Sequence, residues 1–294
     1  MQIILKKVLL SAFVFSFIAL KVSAQKVNEP TNIDSNWVKD YAPFQIAGSL
    51  YYVGTYDLAC YLIATSKGNI LINTGLASSA RQIEKNIERL GFKFSDTKIL
   101  LTTQAHYDHM GAMAAIKAAT GAAFYVNAAD AAAAASGGAA DYEMGKYGVT
   151  FRPVTADKQL VDGEIISLGE TKLTMLNHPG HTMGSCSYLL TVTDSSRSYR
   201  VLIANMPSII TDKKFENVTA YPSISSDYAY TLKALKRIKF DLWVASHASQ
   251  FDLHSKRNEN AVYNPAAFTD KKAFKTALAD YRKSYQTKLR EDKK

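Results

Sequence analysis

Short apolar runs alternate with polar turns along the chain, and the runs fall into two series that are each accompanied by helices. The predicted strands of the first series occupy residues 50–54, 59–64, 69–75, 98–103 and 122–127. Runs of this length, bounded by Gly, Asn or Ser, are typical of buried strands. Between these runs, Ala80, Ile83, Ile87 and Leu90 recur at helical spacing, and residues 111–120 form a second predicted helix.

The second series repeats this arrangement. Its predicted strands occupy residues 150–154, 164–168, 172–178, 185–192, 199–206 and 241–246. Helices are predicted at residues 227–238 and near the C-terminus, where Phe274, Leu278, Tyr281 and Tyr285 share one face. Two such series predict an α/β fold in which two sheets pack face to face with helices outside. Because no linker rich in Pro, Gly or Ser divides residues 25–294, we interpret them as a single domain built of two similar halves.

The first 24 residues have the pattern of a secretory signal peptide. Lys6 and Lys7 precede an uncharged apolar run at residues 8–20, and Ala24 ends a small-residue cleavage site. A membrane anchor is the alternative, but a membrane span needs about 18 apolar residues or more. We therefore expect cleavage before Gln25 and no membrane attachment afterwards.

The distribution of charge bears on nucleic-acid binding, and the positions of the cysteines bear on disulfide formation. The chain has 35 basic and 26 acidic residues, and loss of the predicted signal peptide would lower its net charge from +9 to +6. Because the basic residues are scattered, the composition argues against a nucleic-acid partner. Cys60 and Cys186 lie in apolar runs, so we favour buried free thiols over the disulfide that an exported protein could form.

A cluster of metal-binding residue types follows the predicted strand at 98–103. Residues 104–109 read QAHYDH, so Gln104, His106, Asp108 and His109 lie within six positions. Two further groups also follow apolar strands, namely His178 with His181 and the later His247. Imidazoles with one carboxylate and no cysteine suit zinc. Because the QAHYDH stretch is too tight for one site, the pattern predicts two zinc ions that share a hydrolytic centre.

In its order of motifs, the mature chain resembles the metallo-β-lactamase superfamily. The resembling motifs are Q-x-H-x-D-H in place of H-x-H-x-D-H, then P-G-H-T at 179–182, then a histidine after a third strand. The resemblance implies the four-layer αββα sandwich of that family. It also implies that the segment 128–150 walls the active-site pocket. Within it, the alanine-rich residues 128–140 predict a short helix ending at Gly137 and Gly138.

One position indicates the subclass. Thioesterases and lactonases of the superfamily usually carry a metal-bridging aspartate where this chain reads Asn205-Met206, and two subclasses of β-lactamase carry a cysteine there. The chain therefore resembles class B, subclass 3, and Gln104 with Met206 resembles the GOB-type branch. This resemblance implies zinc-dependent hydrolysis of the β-lactam ring of penicillins, cephalosporins and carbapenems, with resulting antibiotic resistance, by a periplasmic monomer.

The resemblance also assigns residues to each metal. The first zinc would be held by Gln104, His106 and His181, and the second by Asp108, His109 and His247. Because a neutral amide oxygen binds zinc less well than imidazole, we predict that the second site is tighter and that the chain holds one or two ions. Asp108 would also orient the attacking water, and Ser208 would bind the substrate carboxylate or merely form a turn after Pro207.

Two further residues are expected to support the centre, and one histidine is left outside it. Asn73 stands where relatives have an aspartate that supports the metal ligands from behind, and we expect it to give structural support without charge. For His178 we favour packing or support over direct ligation. His254 lies in a polar stretch and is not counted as a ligand.

Two other functions remain open on the sequence alone. The chain could be another hydrolase of the superfamily, a lactonase or a thioesterase. It could also be a non-catalytic zinc-binding protein with a decayed site, for which Gln104 and Met206 are the best support.

Overall fold

Two β-sheets form the centre of the fold in the computed structural model, which describes residues 26–258 and 260–294. The predicted signal peptide lies outside the described residues. The first sheet contains seven strands in chain order: β1 Phe44–Ala47, β2 Leu50–Tyr52, β3 Tyr61–Thr65, β4 Gly68–Ile72, β5 Thr97–Leu101, β6 Ala123–Asn127 and β7 Lys158–Leu160. Strands β1 to β4 pair antiparallel, and β4 to β7 pair parallel.

The second sheet contains five strands. They are β8 Ile165–Leu168, β9 Thr171–Asn177, β10 Cys186–Thr193, β11 Ser198–Ala204 and β12 Leu242–Ala245. Pairing is antiparallel from β8 to β11, whereas β12 lies parallel to β11 at the edge of the sheet. As a result, β5 and β12, which precede the predicted metal-binding segments, belong to different sheets.

Seven α-helices accompany the sheets in the described residues. They are α1 Ala80–Arg89, α2 Tyr107–Met110, α3 Met113–Thr120, α4 Ala131–Ala135, α5 Ile224–Leu235, α6 Leu253–Lys256 and α7 Lys271–Glu291. Short 3-10 helices cover Ser35–Trp37, Ala77–Ser79, Phe94–Asp96, Ala128–Asp130, Met144–Tyr147, Phe215–Asn217, Ala248–Phe251 and Pro265–Phe268. None of these helices is long and apolar enough to cross a membrane.

Alternation along the strands explains why the sheets form the two middle layers. In β4, Ile70 and Ile72 belong to the apolar cluster between the sheets, while Leu71 points to the cluster that contains Ile83 and Ile87 of α1. Successive strand residues face opposite sides, so a continuous apolar run is buried on both. Replacing Leu71 by alanine would cost about 2–5 kcal/mol of stability.

Helices cover the outer faces of both sheets. Helices α1 and α3 pack on the first sheet. On the second sheet, the ring of Phe274 from α7 packs against Trp243 of β12 with centroids 5.1 Å apart, and Leu232 of α5 is buried in the same apolar cluster as Trp243. This arrangement is the four-layer αββα sandwich, which confirms the predicted fold class.

The structure differs from the prediction in two local features. Residues 150–154 are not a strand. Phe151 and Val154 are instead buried in the apolar cluster beneath α4, and Pro153 has no N–H group to donate to a neighbouring strand. The short alanine-rich helix forms as predicted, since α4 is followed by Gly137 and Gly138, which both have a positive φ. Strands β1 and β7 were not predicted; β7 has only one buried residue, Leu160, and therefore shows no apolar run.

Candidate metal centre

Three loops that follow strands bring the predicted ligands together. Residues 102–106 and α2 follow β5 of the first sheet, His181 lies in the loop between β9 and β10, and His247 follows β12 of the second sheet. These loops meet at one end of the sandwich. Strand ends on a rigid scaffold are the places where folds of this kind present reactive side chains.

Asp108, His109 and His247 form a compact ligand set. Their ligand atoms all lie within 4.8 Å of one another. Oδ2 of Asp108 lies 3.1 Å from Nε2 of His109 and 3.3 Å from Nε2 of His247. One carboxylate oxygen and two imidazole nitrogens therefore surround a single point, as a zinc site requires.

Gln104, His106 and His181 form a second set beside the first. Nε2 of Gln104 lies 3.0 Å from Nε2 of His181 and 3.4 Å from Nδ1 of His106. The imidazole centroids of the two histidines are 4.9 Å apart. Because the oxygen and nitrogen of an amide are nearly equal in shape, a half-turn of the Gln104 amide directs its oxygen to the same point.

Buried nitrogens without hydrogen-bond partners indicate that these residues fit a metal. Among the described residues, neither ring nitrogen of His109 has a hydrogen-bond partner, although the ring is buried. A buried polar group left unpaired costs about 1–3 kcal/mol. The ligand atoms of the first set are close but not aligned for hydrogen bonding with one another, so a cation at their centre would satisfy them.

Electrostatics favours the charge states that a metal needs. Burial alone would raise the pKa of Asp108, but the His109 and His247 imidazoles outweigh it and hold this pKa well below its usual range. Burial, with the nearby His106 imidazole, lowers the pKa of His181 to about 3. At neutral pH, Asp108 is therefore an anion and His181 a neutral ligand.

His247 differs from His181 because carboxylates lie on both sides of its ring. Burial lowers its pKa, but the Asp108 and Asp57 carboxylates, which stabilise the protonated ring, dominate and raise it to about 9. Oδ2 of Asp57 lies 3.1 Å from Nδ1 of His247 and also accepts the indole N–H of Trp37. The backbone N–H of Ser249 donates to the other Asp57 oxygen. Asp57 therefore fixes the ring so that Nε2 faces Asp108.

Ser208 fixes the ring of His181 in a similar way. Nδ1 of His181 lies 2.9 Å from the backbone carbonyl of Ser208 and 3.0 Å from its hydroxyl. Because a carbonyl oxygen only accepts, Nδ1 of His181 carries the proton and Nε2 is free to bind a metal. The proposed role of Ser208 in binding substrate remains a prediction.

Both ligand sets open into one cavity of about 230 Å³. It is lined by Trp37, Gln104, His106, Tyr107, Asp108, Met144, His181, Met206, Ser208, Ile210, His247 and Gln250. Met144 comes from the segment 128–150, as predicted for a wall of the pocket. A larger cavity, of about 480 Å³, lies beside α7 and is lined by no histidine, so volume alone does not locate the chemistry.

The remaining predicted residues lie outside the ligand sets. Nδ1 of His178 is 2.6 Å from the Ser187 hydroxyl in the core, and burial lowers the pKa of this histidine to about 3. His254 stacks on Tyr56, with ring centroids 3.6 Å apart. Neither histidine is a ligand. Cys60 and Cys186 are buried free thiols, as favoured from the sequence.

Asn73 and Asn205 act behind the centre rather than in it. Asn73 Oδ1 accepts the Thr103 backbone N–H at 2.9 Å, and this contact holds the start of the ligand loop. The predicted structural support is therefore confirmed. The Asn205 amide donates to the Thr103 carbonyl at 2.8 Å, so the position of the bridging carboxylate in relatives serves here to support the same loop.

The sequence analysis did not find three acidic residues near the centre. Asp57 contacts His247, Asp141 lies 3.4 Å from His106, and Asp130 accepts the Ala105 backbone N–H. Each carboxylate stands in an apolar or alanine-rich stretch. A charge in such a stretch is the one sequence signal that could have indicated burial and pairing.

Comparisons with known proteins agree with this geometry. The sequence model of the metallo-beta-lactamase superfamily matches residues 54–193. Among curated proteins, an N-acyl homoserine lactonase from a Bacillus species is 24% identical in an alignment of 203 residues that covers 61% of this chain and 74% of the lactonase.

Solved structures give stronger matches. The crystal structure of the metallo-beta-lactamase GOB-18 from Elizabethkingia meningoseptica is 60% identical, with a TM-score of 0.91, and the match covers 92% of this chain and 100% of that one. The class B3 di-zinc metallo-beta-lactamase LRA-12 from an Alaskan soil metagenome is 57% identical, with a TM-score of 0.88, over 90% of this chain and 100% of that one. The chain therefore belongs to the metallo-beta-lactamase superfamily and, within it, to class B3.

Proposed function

We propose that the protein hydrolyses the β-lactam ring in a zinc-dependent reaction and so confers resistance to β-lactam antibiotics. The observation that carries this proposal is the Asp108, His109 and His247 set, whose ligand atoms lie within 4.8 Å of one another at a cavity. The matched class B3 enzymes are named as β-lactamases.

The residues in both ligand sets fit zinc by type and burial, and the set with Asp108 also contains the unpaired nitrogens of His109. Asp108, His109 and His247 would hold one ion, and Gln104, His106 and His181 would hold the other. Bound zinc would supply a Lewis acid that polarises a carbonyl group and lowers the pKa of water. We propose one or two ions per chain, with the site that contains Asp108 tighter.

The chain's own residues position the reactants. Asp108 lines the cavity and is ionised, so its carboxylate can accept a hydrogen bond from the attacking water and aim its oxygen at the carbonyl carbon. In the overall hydrolysis, the carbon gains the water oxygen, the C–N bond breaks, and the ring nitrogen gains a proton. No acyl-enzyme on a serine is needed.

We assign the substrate end of the cavity to Ser208. Its hydroxyl lies at the cavity wall, and a hydroxyl is a suitable donor to the carboxylate that β-lactams carry. Trp37 and Tyr107 also line the cavity and contribute apolar surface, with ring centroids 6.2 Å apart.

We extend the proposal to the substrate range, the oligomeric state, the cellular location and the branch of the family. The substrates include carbapenems, the enzyme acts as a monomer in the periplasm after signal cleavage, and it belongs to the GOB-type branch. The 60% identity to GOB-18 and the glutamine at position 104 support the last of these.

A lactonase is the second candidate, favoured by the 24% identical match to a homoserine lactonase. The structure supports it less, since Asn205 is turned to the Thr103 carbonyl and supplies no bridging carboxylate. Rates with a chromogenic cephalosporin and with an aryl lactone, with and without chelator, separate the two. Chelator-sensitive turnover of the cephalosporin supports β-lactamase activity, whereas turnover of the lactone alone overturns it.

A further inference from the structure

The segment 128–150 contacts the Gln104, His106 and His181 set at several points. Asp141 of this segment is buried, with its side chain 3% exposed, and its Oδ2 lies 3.4 Å from Nε2 of His106. The other carboxylate oxygen accepts the backbone N–H groups of Glu143 and Met144 at 2.9 and 2.7 Å. The carboxylate is therefore held in place by its own turn.

Two other residues of the segment hold the loops that carry the same ligands. Asp130 accepts the Ala105 N–H at 2.9 Å and the Gly184 N–H at 2.7 Å. The Tyr142 hydroxyl donates to the carbonyl of His181 at 3.2 Å. Through these contacts, the segment 128–150 holds both the loop that carries His106 and the loop that carries His181.

The geometry leaves Asp141 with one role at His106. The two ring nitrogens of His106 face different residues. Nδ1 faces Gln104, while Nε2 faces Asp141 and has no hydrogen-bond partner within the described part of the chain. A carboxylate only accepts hydrogen bonds, so its presence favours the proton on Nε2 and leaves the Nδ1 lone pair free. A small rotation of the ring converts the 3.4 Å contact into a hydrogen bond.

Charge gives the contact a second effect. Gln104, His106 and His181 are all neutral as ligands, whereas the other set includes the Asp108 carboxylate. A cation held by Gln104, His106 and His181 therefore has no negatively charged ligand of its own, and Asp141 places an anion directly behind the His106 imidazole. Both effects strengthen a site that is weakened by the amide of Gln104.

We propose that Asp141 is a positioning residue that fixes His106 with Nδ1 toward the metal and compensates for the neutral Gln104 ligand. This inference rests on the proposed function, because it assumes that the Gln104 set binds zinc. The chain supplies a matched control in Asp57, which contacts His247 of the other set in the same way at 3.1 Å.

The first test is made on the metal-free protein and does not depend on activity. Long-range proton–nitrogen NMR spectra of imidazole groups identify which ring nitrogen of His106 carries the proton. The wild type and the Asp57→Asn variant should show the proton on Nε2. In Asp141→Ala, the two tautomers of His106 should mix. An unchanged His106 tautomer in Asp141→Ala would overturn the proposal even if the protein proved to hydrolyse β-lactams.

The second test measures zinc affinity at each site by titration of the folded apo-protein against a chromophoric chelator. Loss of an outer hydrogen-bond partner typically costs 10–100-fold in metal affinity. Asp141→Ala should weaken the weaker site by that factor and leave the tighter site unchanged, whereas Asp57→Asn should do the reverse. Asp141→Asn keeps the shape and an acceptor oxygen, so it should weaken the site less. Equal losses at both sites in Asp141→Ala, or no loss, would contradict the proposal.

Discussion

Nε2 of His247 lies 3.3 Å from Oδ2 of Asp108, although the two residues follow strands of different sheets. The contact exists only because β5 and β12 end on the same side of the sandwich. A cation between these residues would therefore connect the two halves of the fold. The centre depends on the packing of the sheets as much as on the ligands themselves.

Replacing Gln104 by histidine should keep the activity and tighten the weaker zinc site. The amide of Gln104 lies 3.0 Å from Nε2 of His181, so an imidazole at this position faces the same point and is the better zinc ligand. We expect the weaker dissociation constant to fall by about tenfold or more, a free-energy change of about 1.4 kcal/mol. A chelator-competition titration measures it. An unchanged affinity in Gln104→His would show that the residue at position 104 is not a ligand.

Zinc binding to the metal-free protein should release a proton near neutral pH. Burial opposes the charge on His247, but Asp108 and Asp57 raise its pKa to about 9, and zinc requires the neutral imidazole. The affinity should therefore rise with pH until about 9 and level off above it. Calorimetric titrations in buffers of different ionisation enthalpy count the protons. Binding without proton release at pH 7 would contradict this assignment.

The same pKa shift has a consequence for the stability of the metal-free fold. The folded-state pKa of His247 lies above the value of about 6.5 for an unfolded histidine. Its contribution to stability is therefore complete below pH 6.5 and is lost as the pH rises through about 9. The urea midpoint of apo-protein should fall over that range.

Replacing Ser208 by alanine should raise KM and leave kcat almost unchanged. The substitution removes the hydroxyl offered to the substrate and its 3.0 Å contact with His181, but the backbone carbonyl of Ser208 still accepts from His181 at 2.9 Å and keeps the ring in place. A hydrogen bond to a charged group contributes about 1.5–3 kcal/mol, which corresponds to a tenfold or larger rise in KM. A substrate with an esterified carboxylate serves as control and should be insensitive. A fall in kcat alone would show that Ser208 acts by positioning His181 and does not bind the substrate.

Replacing Asn73 by alanine should lower the free energy of unfolding by about 2–4 kcal/mol. Asn73 has a positive φ of 63°, and its loss leaves the Thr103 N–H without its side-chain acceptor. Asn73→Asp keeps the acceptor and should cost less stability. Asn73→Gly relieves the backbone strain but still loses the hydrogen bond. Urea unfolding of the three variants measures both effects. A change below about 0.5 kcal/mol in Asn73→Ala would show that the support is dispensable.

Most strands and the residues of the two ligand sets could be predicted from the sequence because each has a local signal. Residues such as Leu71 and Leu100 stand in apolar runs that are buried on both faces. His106 and Asp108 stand together directly after such a run, which packing does not require. The motif order then identified the family to which the fold belongs.

The outer carboxylates could not be predicted in the same way. Asp57 and Asp141 become partners of His247 and His106 only when distant loops meet, and nothing next to them in sequence shows which histidine each will contact. The error at residues 150–154 has a similar origin. Phe151 is apolar because it packs beneath α4, and an apolar run alone does not distinguish a strand from a buried loop.

The most direct measurement of the central claim is ring opening of a penicillin, a cephalosporin and a carbapenem by the purified protein. It is followed by absorbance before chelation, after chelation and after zinc is restored, in the wild type and in Asp108→Asn. The account predicts that wild-type hydrolysis is lost with the metal and recovered with zinc, and that Asp108→Asn stays slower by roughly 10³-fold, as expected for loss of a preorganised charge. Hydrolysis that persists without metal, or a folded, zinc-loaded wild type that opens none of the three rings, would contradict it.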